Sequence, residues 1–478
     1  MSVILKAPLN SIPYQNVSDF VLDNLSDELL DGYIDELGNT NKRPGLGLYT
    51  SLGTSKKVDG SFFWEAKALT VFVSDGRILT VDANKMINDI TGDTLLTDGR
   101  PTFAENGSFL VIANGGLMVY TDGVALTISI TDPQAPSLVT HVAFLDNYLL
   151  AFQKGTALVR FANFENIAPT SWNFDDFFTA ESNPDGIVSL YTANGIVYIF
   201  GTSSIEFWIN DGVSPFRRTA TQRERGVMGP YSTVLVNDSF YFFDANRRLS
   251  VMNGFNAKTI NTSFDKTIQS FPTVTDTLSD YVTVLGKNWI VFSFPDSDKT
   301  LMYDLQGPGT TYWSEWSTWD AITNTRKRFI LNTYIYVRSL NVHLIGDYKG
   351  DSIFQLDETF FTDSDLAIRF LKRTGNIDYE VPYNSKTSYE LIVRMLSGSG
   401  LADNPNIPPK ARIRWRDNGD TTWSNYVDIT LASQGDKRFL KRITANGSYY
   451  TRQYEISMTD NAPFIIGKSF ERVDINEF

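Results

Sequence analysis

Seven times along this chain, a short turn containing Asn, Asp, Gly or Lys leads into a strongly apolar run. The segments are AKALTVFV, NGSFLVIA, DNYLLAF, NGIVYIF, NDSFYFF, KNWIVFSF and LNVHLIG. Anchored at Lys67, Gly107, Asn147, Gly195, Asp238, Asn288 and Asn341, they recur at spacings of 40, 40, 48, 43, 50 and 53 residues. A second polar turn and a second strand-like segment follow each run. Ile78, Leu117, Leu158, Ile205, Leu249, Leu301 and Ile353 mark these, and the two marker sets run in step. Paired strands and tight turns repeating every ~45 residues match the blades of a β-propeller. One small twisted sheet cannot bury both its faces, so neighbouring blades must cover each other, and closing the ring leaves few exposed edges. The expected fold class is therefore all-β, a β-propeller of seven blades. Six blades also fit, because the last unit is the most irregular. A run of hairpins in a β-sandwich or a solenoid is the alternative that the pattern leaves open.

Composition agrees with an all-β chain. Aromatic residues reach 13%, with 33 Phe and 22 Tyr, and such side chains suit pleated, half-buried surfaces. With 42% apolar and 20% charged residues, the chain can bury a sizeable core. It has no cysteine, which excludes disulfides, thiol catalysis and thiolate metal sites. The start, MSVILKAPLNSIPYQNVSDF, has no basic leader, and no window approaches the ~18 apolar residues of a membrane helix. A soluble protein made in the cytoplasm, without stable membrane insertion, is expected. The formal net charge of −13 argues against a protein that grips duplex DNA by neutralising phosphates. It is compatible with one past which DNA slides, since an acidic wall repels phosphate.

Two segments lie outside the repeat, so three parts are expected. Residues 1–60 form an N-terminal extension, 61–371 the propeller, and 372–478 a sandwich-like C-terminal β domain. Within the extension, SDELLDGYIDELGN reads as a short helix with Ser26 as N-cap, apolar Leu29, Leu30, Ile34 and Leu37, and Gly38 at its end. The C-terminal part contains the strand-like runs SYELIVRML, ARIRWRD, YVDITLA and QYEISMTD. LSGSGLADNPNIPPKA reads as an exposed loop between two of them.

A search for catalytic chemistry finds little. His141 and His343 stand far apart in sequence and outside any H-E-x-x-H pattern, and there is no G-x-S-x-G elbow. Gly467-Lys468-Ser469 imitates the end of a phosphate-binding loop, but Ala462 stands where its first glycine belongs. Asp175-Asp176 and Asp296-Ser297-Asp298 read as solvated turns, with a carboxylate pair for glycoside cleavage as the competing reading. The segment from Arg416 to Trp423 looks like the Asp-box turn of sialidase-type propellers, one residue longer. Asp417, Gly419 and Trp423 serve it as folding residues, not catalytic ones. Trp313, Trp316 and Trp319 could stack sugars or a partner, against core packing at a blade edge. Basic clusters at Arg217–Arg218 with Arg223 and Arg225, at Arg326-Lys327-Arg328, and at Lys437–Arg438 with Lys441–Arg442 read as solvated loops or subunit contacts. No catalytic residue, metal ligand or cofactor is assigned.

Several blocks resemble a known family. AESNPDGI, Ala180 to Ile187, is followed by an apolar strand and GTSSIEFW, Gly201 to Trp208, then by Phe216-Arg217-Arg218 and Arg225-Gly226. Lys42-Arg43-Pro44-Gly45-Leu46 near the start and ARIRWRDNGDTTWS near the end fit the same pattern. In order and spacing these blocks are similar to the packaged-DNA stabilisation proteins, or tail nozzle hub proteins, of podovirus-type phages.

That resemblance implies a non-enzymatic virion component made in the host bacterial cytoplasm. It implies a homo-oligomeric ring, generally a hexamer, below the portal and adaptor. Such a ring extends the channel, retains packaged double-stranded DNA and passes it at ejection without sequence-specific binding. A tail needle, fibre or tailspike protein would adjoin it. Glu181, Pro184, Asp185, Gly186 and Glu206, with Arg217, Arg218, Arg225 and Gly226, form its signature region, read first as blade-building and second as interface residues. Two other functions stay open: a glycan-binding or glycan-cleaving, sialidase-like propeller, and an intracellular protein-binding scaffold.

Overall fold

The computed structural model describes the chain except residues 1, 8, 10–11, 14–24, 27, 181–184, 213–214, 261–263, 285, 307–311, 437–438 and 477–478. Seven antiparallel four-stranded blades follow one another, at residues 58–89, 102–129, 139–179, 187–223, 233–259 and 278–315, and at 331–357 with a fourth strand from elsewhere. In each, the chain enters on an inner strand and works outward. The seven sequence anchors fall at or beside the first turn of each blade. Three of those turns, Asp146-Asn147, Asn194-Gly195 and Asn237-Asp238, are two-residue hairpins in which both residues have positive φ, as is Asp75-Gly76 in the second turn of blade 1. This conformation matches the twist of the flanking strands and favours Asn, Asp and Gly.

Strand alternation explains why the apolar runs are continuous. Successive side chains point to opposite faces. In blade 5, Phe240 and Phe242 pack with Tyr198 and Phe200 of blade 4, while Phe243 packs with Ile290 and Phe292 of blade 6. Seven such cores occur, one between each neighbouring pair of blades. Burying each Phe, Leu or Val contributes roughly 1.5–3 kcal/mol. The last core unites Leu344 and Ile353 of blade 7 with Phe72 and Leu79 of blade 1, so the ring is closed.

Closure depends on a distant strand. Gly45–Ser51, inside the segment expected as an N-terminal extension, pairs antiparallel with Ser352–Asp357 and completes blade 7. The chain then passes directly into Val58–Trp64, the inner strand of blade 1. Either end of the propeller is thus held by the other.

The helix expected over residues 26–37 does not form. Glu28–Leu30 and Gly32–Ile34 are strands instead. Asp31 has φ 53°, and a Cβ at Gly32 would lie 2.7 Å from the Phe370 ring and 2.8 Å from the Asn41 carbonyl. The helical spacing of Leu29 and Ile34 serves a different purpose, since both enter the core of the C-terminal sandwich. Pairing with Phe370–Arg373 and Thr40–Lys42 overrides the local preference.

That sandwich has two sheets. The first runs Glu28–Leu30, Phe370–Arg373, Arg452–Met458, Lys410–Asp417, Val427–Thr430, and joins blade 6 through Glu315 opposite Leu30. The second runs Leu440–Tyr449, Lys386–Met395, Ile465–Ile475, Thr40–Lys42, Gly32–Ile34, with Ser2–Ala7 also paired to Ile465–Ile475. Leu391, Val393, Ile413, Ile456 and Ile466 fill the space between them. Gly467-Lys468-Ser469 lies within the Ile465–Ile475 strand, which rules out a phosphate-binding loop there. Trp313 and Trp316 are buried in the cores flanking blade 6, and Trp319 lies beneath Arg369, so no three-tryptophan platform exists.

Candidate functional site

The axis of a propeller is where loops from all blades converge, and here it is spanned by protein. Arg100, on the connection between blades 1 and 2, places its guanidinium 3.1 Å from the carboxylate of Asp280 on the inner strand of blade 6. It also donates to the Asn332 carbonyl of blade 7, and its own carbonyl accepts the Tyr231 hydroxyl at 3.0 Å. On the other side, the Pro230 carbonyl takes the Tyr191 hydroxyl at 3.2 Å and lies 3.0 Å from His141 Nε2. Burial raises the Asp280 pKa, and Arg100 opposes that rise. Burial lowers His141 to about 4, among the rings of Phe152, Tyr191 and Tyr231. A cavity of ≈ 730 Å³ remains at one mouth of the axis, bordered by Leu96, Arg100, Phe152, Lys154, Ile187 and Tyr231.

The described signature residues fall in blade 4, at its entrance and on its connection to blade 5. Asp185 precedes the inner strand of blade 4 and clips the turn two strands further on. It accepts the Ser203 and Ser204 amides at 2.7 and 2.9 Å and the Ser204 hydroxyl at 2.9 Å. Glu206 is buried and accepts the Trp208 indole at 3.0 Å, with Arg218 at 3.7 Å. Arg217 pairs with Asp211 at 2.8 Å. Arg225 donates to Asp244 at 3.0 Å and to the Thr259 hydroxyl, tying blade 4 to blade 5. Gly226 packs so closely that a Cβ would sit 2.0 Å from the Thr202 carbonyl carbon, while Gly186 has open space around it. Glu181 and Pro184 lie outside the described residues, as do Lys437 and Arg438.

The Asp-box-like turn forms at an edge of the sandwich. Asn418 and Gly419 adopt φ 56° and 72°, the Asp420 amide donates to the Asp417 carbonyl, and the Asp417 carboxylate holds the buried Arg452 at 2.7 and 2.9 Å. Trp423 is ringed by Arg373, Arg414 and Arg416 at 5.6, 5.0 and 4.9 Å. Two of these are committed elsewhere, because the fully buried Glu455 accepts Arg373, Arg414 and the Tyr426 hydroxyl, each at 2.7 Å. These contacts depress the Glu455 pKa despite its burial. The arginines therefore converge on an internal carboxylate, away from the propeller axis.

One buried ionic cluster escaped sequence reasoning. Arg43 is buried, pairs with Asp363, donates to Asp31 at 3.0 Å and to the Ser317 carbonyl at 2.8 Å, and lies over the Phe329 ring. Beside it, Lys42 donates to the carbonyls of Phe361 and Asp460, joining the propeller flank to the sandwich, and burial lowers its pKa to about 7. The Lys42-Arg43 pair was visible as a block of the resemblance, but apart from Asp31 its partners stand 274 to 418 residues away in sequence, beyond any local pattern. Among the described residues, no three His, Asp or Glu side chains are grouped to hold a metal ion.

Residues 41–361 match the model of a family described as bacteriophage P22 Gp10, beta-propeller. The match takes in all seven blades and the closing strand Gly45–Ser51. No curated protein sequence matches the chain. Among solved structures, the extracellular domain of the putative one component system BT4673 from B. thetaiotaomicron is 12% identical with a TM-score of 0.46, covering 94% of this chain and 63% of that one. The N-terminal domain of Nup159 is 12% identical with a TM-score of 0.43, covering 70% and 99%. YCF48 bound to D1 peptide is 12% identical with a TM-score of 0.42, covering 66% and 99%.

Proposed function

Because this chain belongs to the family of bacteriophage P22 Gp10 β-propellers, a phage structural family, we propose that it forms a ring in the tail of a short-tailed phage. Copies of the chain, six by resemblance to the family, surround a common channel below the portal and adaptor. The ring retains packaged DNA and passes it at ejection, and the chain performs no catalysis. A tail needle, fibre or tailspike protein is the expected neighbour on the far side.

The single observation that carries this reading is the family match across the whole closed propeller, whose own axis Arg100 and Asp280 span. A toroid filled in this way cannot itself be the conduit for a duplex, so the conduit has to lie between copies. Charge fits that role. Residues 1–371 hold 42 acidic and 27 basic side chains, which favours a surface that DNA does not adhere to.

Electron microscopy and mass measurement of the purified chain, alone and with a portal–adaptor complex, test the proposal. A closed ring seated coaxially on that complex is the expected result. A chain that stays monomeric in its presence overturns it.

A further inference from the structure

The second sandwich sheet has one face in the core and one toward solvent, and the solvent face has an unusual composition. Lys6, Arg394, Arg442, Lys468 and Arg472 are all exposed on it. Strand register interleaves them with apolar side chains: Phe470 stands between Lys6 and Ile392, Ile392 stands opposite Arg442, Ile4 opposite Arg472, and Leu440 opposite Arg394. Ile4 is 64% and Leu440 57% exposed. The acidic side chains of this face are engaged locally, Glu390 with Arg442 and Asp474 with the Tyr389 hydroxyl. The result is a basic, apolar sheet face on a chain of net charge −13.

A complementary surface lies elsewhere on the molecule. Between Pro101 and Thr179, the span of blades 2 and 3, stand seven acidic residues and only two basic ones, Lys154 and Arg160. The outer strands and loops of blades 2 and 3 in this stretch expose Leu126, Ile128, Ile167 and Phe177, with Val124 at 87% and Phe174 at 65%. Asp146, Glu165 and Asp175 are exposed beside them. Arg160 lies over the Phe174 and Phe177 rings, so one cation stands within this acidic surface. Clustered exposed apolar groups beside an excess of one sign of charge mark an interaction surface. The sandwich is anchored at blade 6 and blade 7, two or three positions around the ring from blades 2 and 3. The two surfaces therefore occupy different parts of the ring and do not touch within one molecule.

We propose that the basic sheet face of one copy docks on the acidic, apolar rim of blades 2 and 3 of the next, forming a heterologous, head-to-tail contact between copies. Unlike, complementary patches at separate places on the molecule are what such a contact requires, and repeated use of it generates rings where the rotation closes. This inference rests on the ring reading above and names the surfaces through which the ring is built.

The absence of native cysteine makes the test direct, because any disulfide must come from introduced residues. Lys468→Cys is paired in turn with Asp122→Cys, Glu165→Cys and Asp175→Cys, each pair made as two single variants and as one double variant, and oxidised in the assembled state on a portal–adaptor complex. Mixed single variants should give a covalent dimer, either single variant alone should give none, and the double variant should give a ladder. Single variants that cross-link to themselves indicate a symmetric contact and overturn the proposal. In parallel, K468E/R472E should fail to assemble while keeping its circular dichroism spectrum. If wild type and K468E/R472E both form rings, these surfaces are refuted and the ring stands. If wild type forms none, the ring reading itself fails. If K468E/R472E assembles normally but loses binding to a DNA duplex measured by anisotropy, the basic face serves nucleic acid and the proposal is overturned.

Discussion

Arg100 and Asp280 meet across the propeller axis, 3.1 Å apart, although they belong to opposite sides of the ring and stand 180 residues apart in sequence. Each is mostly shielded from water, at 17% and 12% exposure. Arg100→Ala leaves Asp280 in a low-dielectric site without its counter-charge, which costs on the order of 3 kcal/mol. Urea denaturation checks this. The double variant R100A/D280A should be more stable than the sum of the two single losses implies, since it removes both charges together.

Gly226 and Gly186 belong to the same signature block yet face different surroundings. Gly226→Ala drives a Cβ into the Thr202 backbone, which cannot yield as a flexible side chain would, so a loss above about 2 kcal/mol or a failure to accumulate folded protein is expected. Gly186→Ala meets nothing within 4 Å and should change stability by no more than about 0.5 kcal/mol. Thermal melts of the two variants side by side make the comparison.

His141 carries an acid sensitivity. Its pKa is about 4 in the folded chain against 6.5 as a free side chain. Between those values the unfolded chain binds a proton that the folded chain does not, so stability is complete above pH 6.5 and declines as pH falls toward 4, by about 3 kcal/mol for this group. Asp59, raised to about 6 by burial, acts in the opposite direction over part of that window. Comparing wild type with His141→Gln separates the two, and the variant should lose less stability between pH 7 and pH 4.5. With only two histidines in the chain, NMR titration reads the same quantity directly. A midpoint for His141 near 6.5 would contradict it.

Arg43 holds together three segments distant in sequence through Asp31, Asp363 and the Ser317 carbonyl. Arg43→Met keeps most of the packing over Phe329 but leaves Asp363 buried without its ion-pair partner, while Asp31 keeps Arg326 at 2.6 Å, a loss of roughly 3–5 kcal/mol. Hydrogen exchange should show the strands Glu28–Leu30 and Gly45–Ser51 deprotected before the central blades. Uniform destabilisation of the whole chain would contradict the assignment of Arg43 to this junction.

How far the sequence discloses the structure follows from the range of each interaction. The blades were legible because a hairpin writes its own signal: the Asn194-Gly195 turn, the alternating run behind it and the second strand all fall within one blade. Seven such signals in step specify seven blades. Ring closure by Gly45–Ser51 was not legible, since that strand looks like any other and its partner is 300 residues away. Separations of 180 and 320 residues likewise conceal Arg100 with Asp280 and Arg43 with Asp363. Leu29, Ile34 and Leu37 misled for a related reason. Their helical spacing is real, but Gly32 and the positive φ of Asp31 bend the chain into two short strands that longer-range pairing holds. Trp313 and Trp316 became core residues because blade 6 is enclosed on both faces.

The most direct test is a cryo-electron microscopy reconstruction of DNA-filled particles of the phage that encodes this chain. The account predicts several copies of a seven-bladed toroid around the tail axis, with DNA passing between copies and density for Arg100 and Asp280 across each propeller's own centre. Particles in which the chain is absent from the tail, or in which the duplex threads a single propeller, would contradict it.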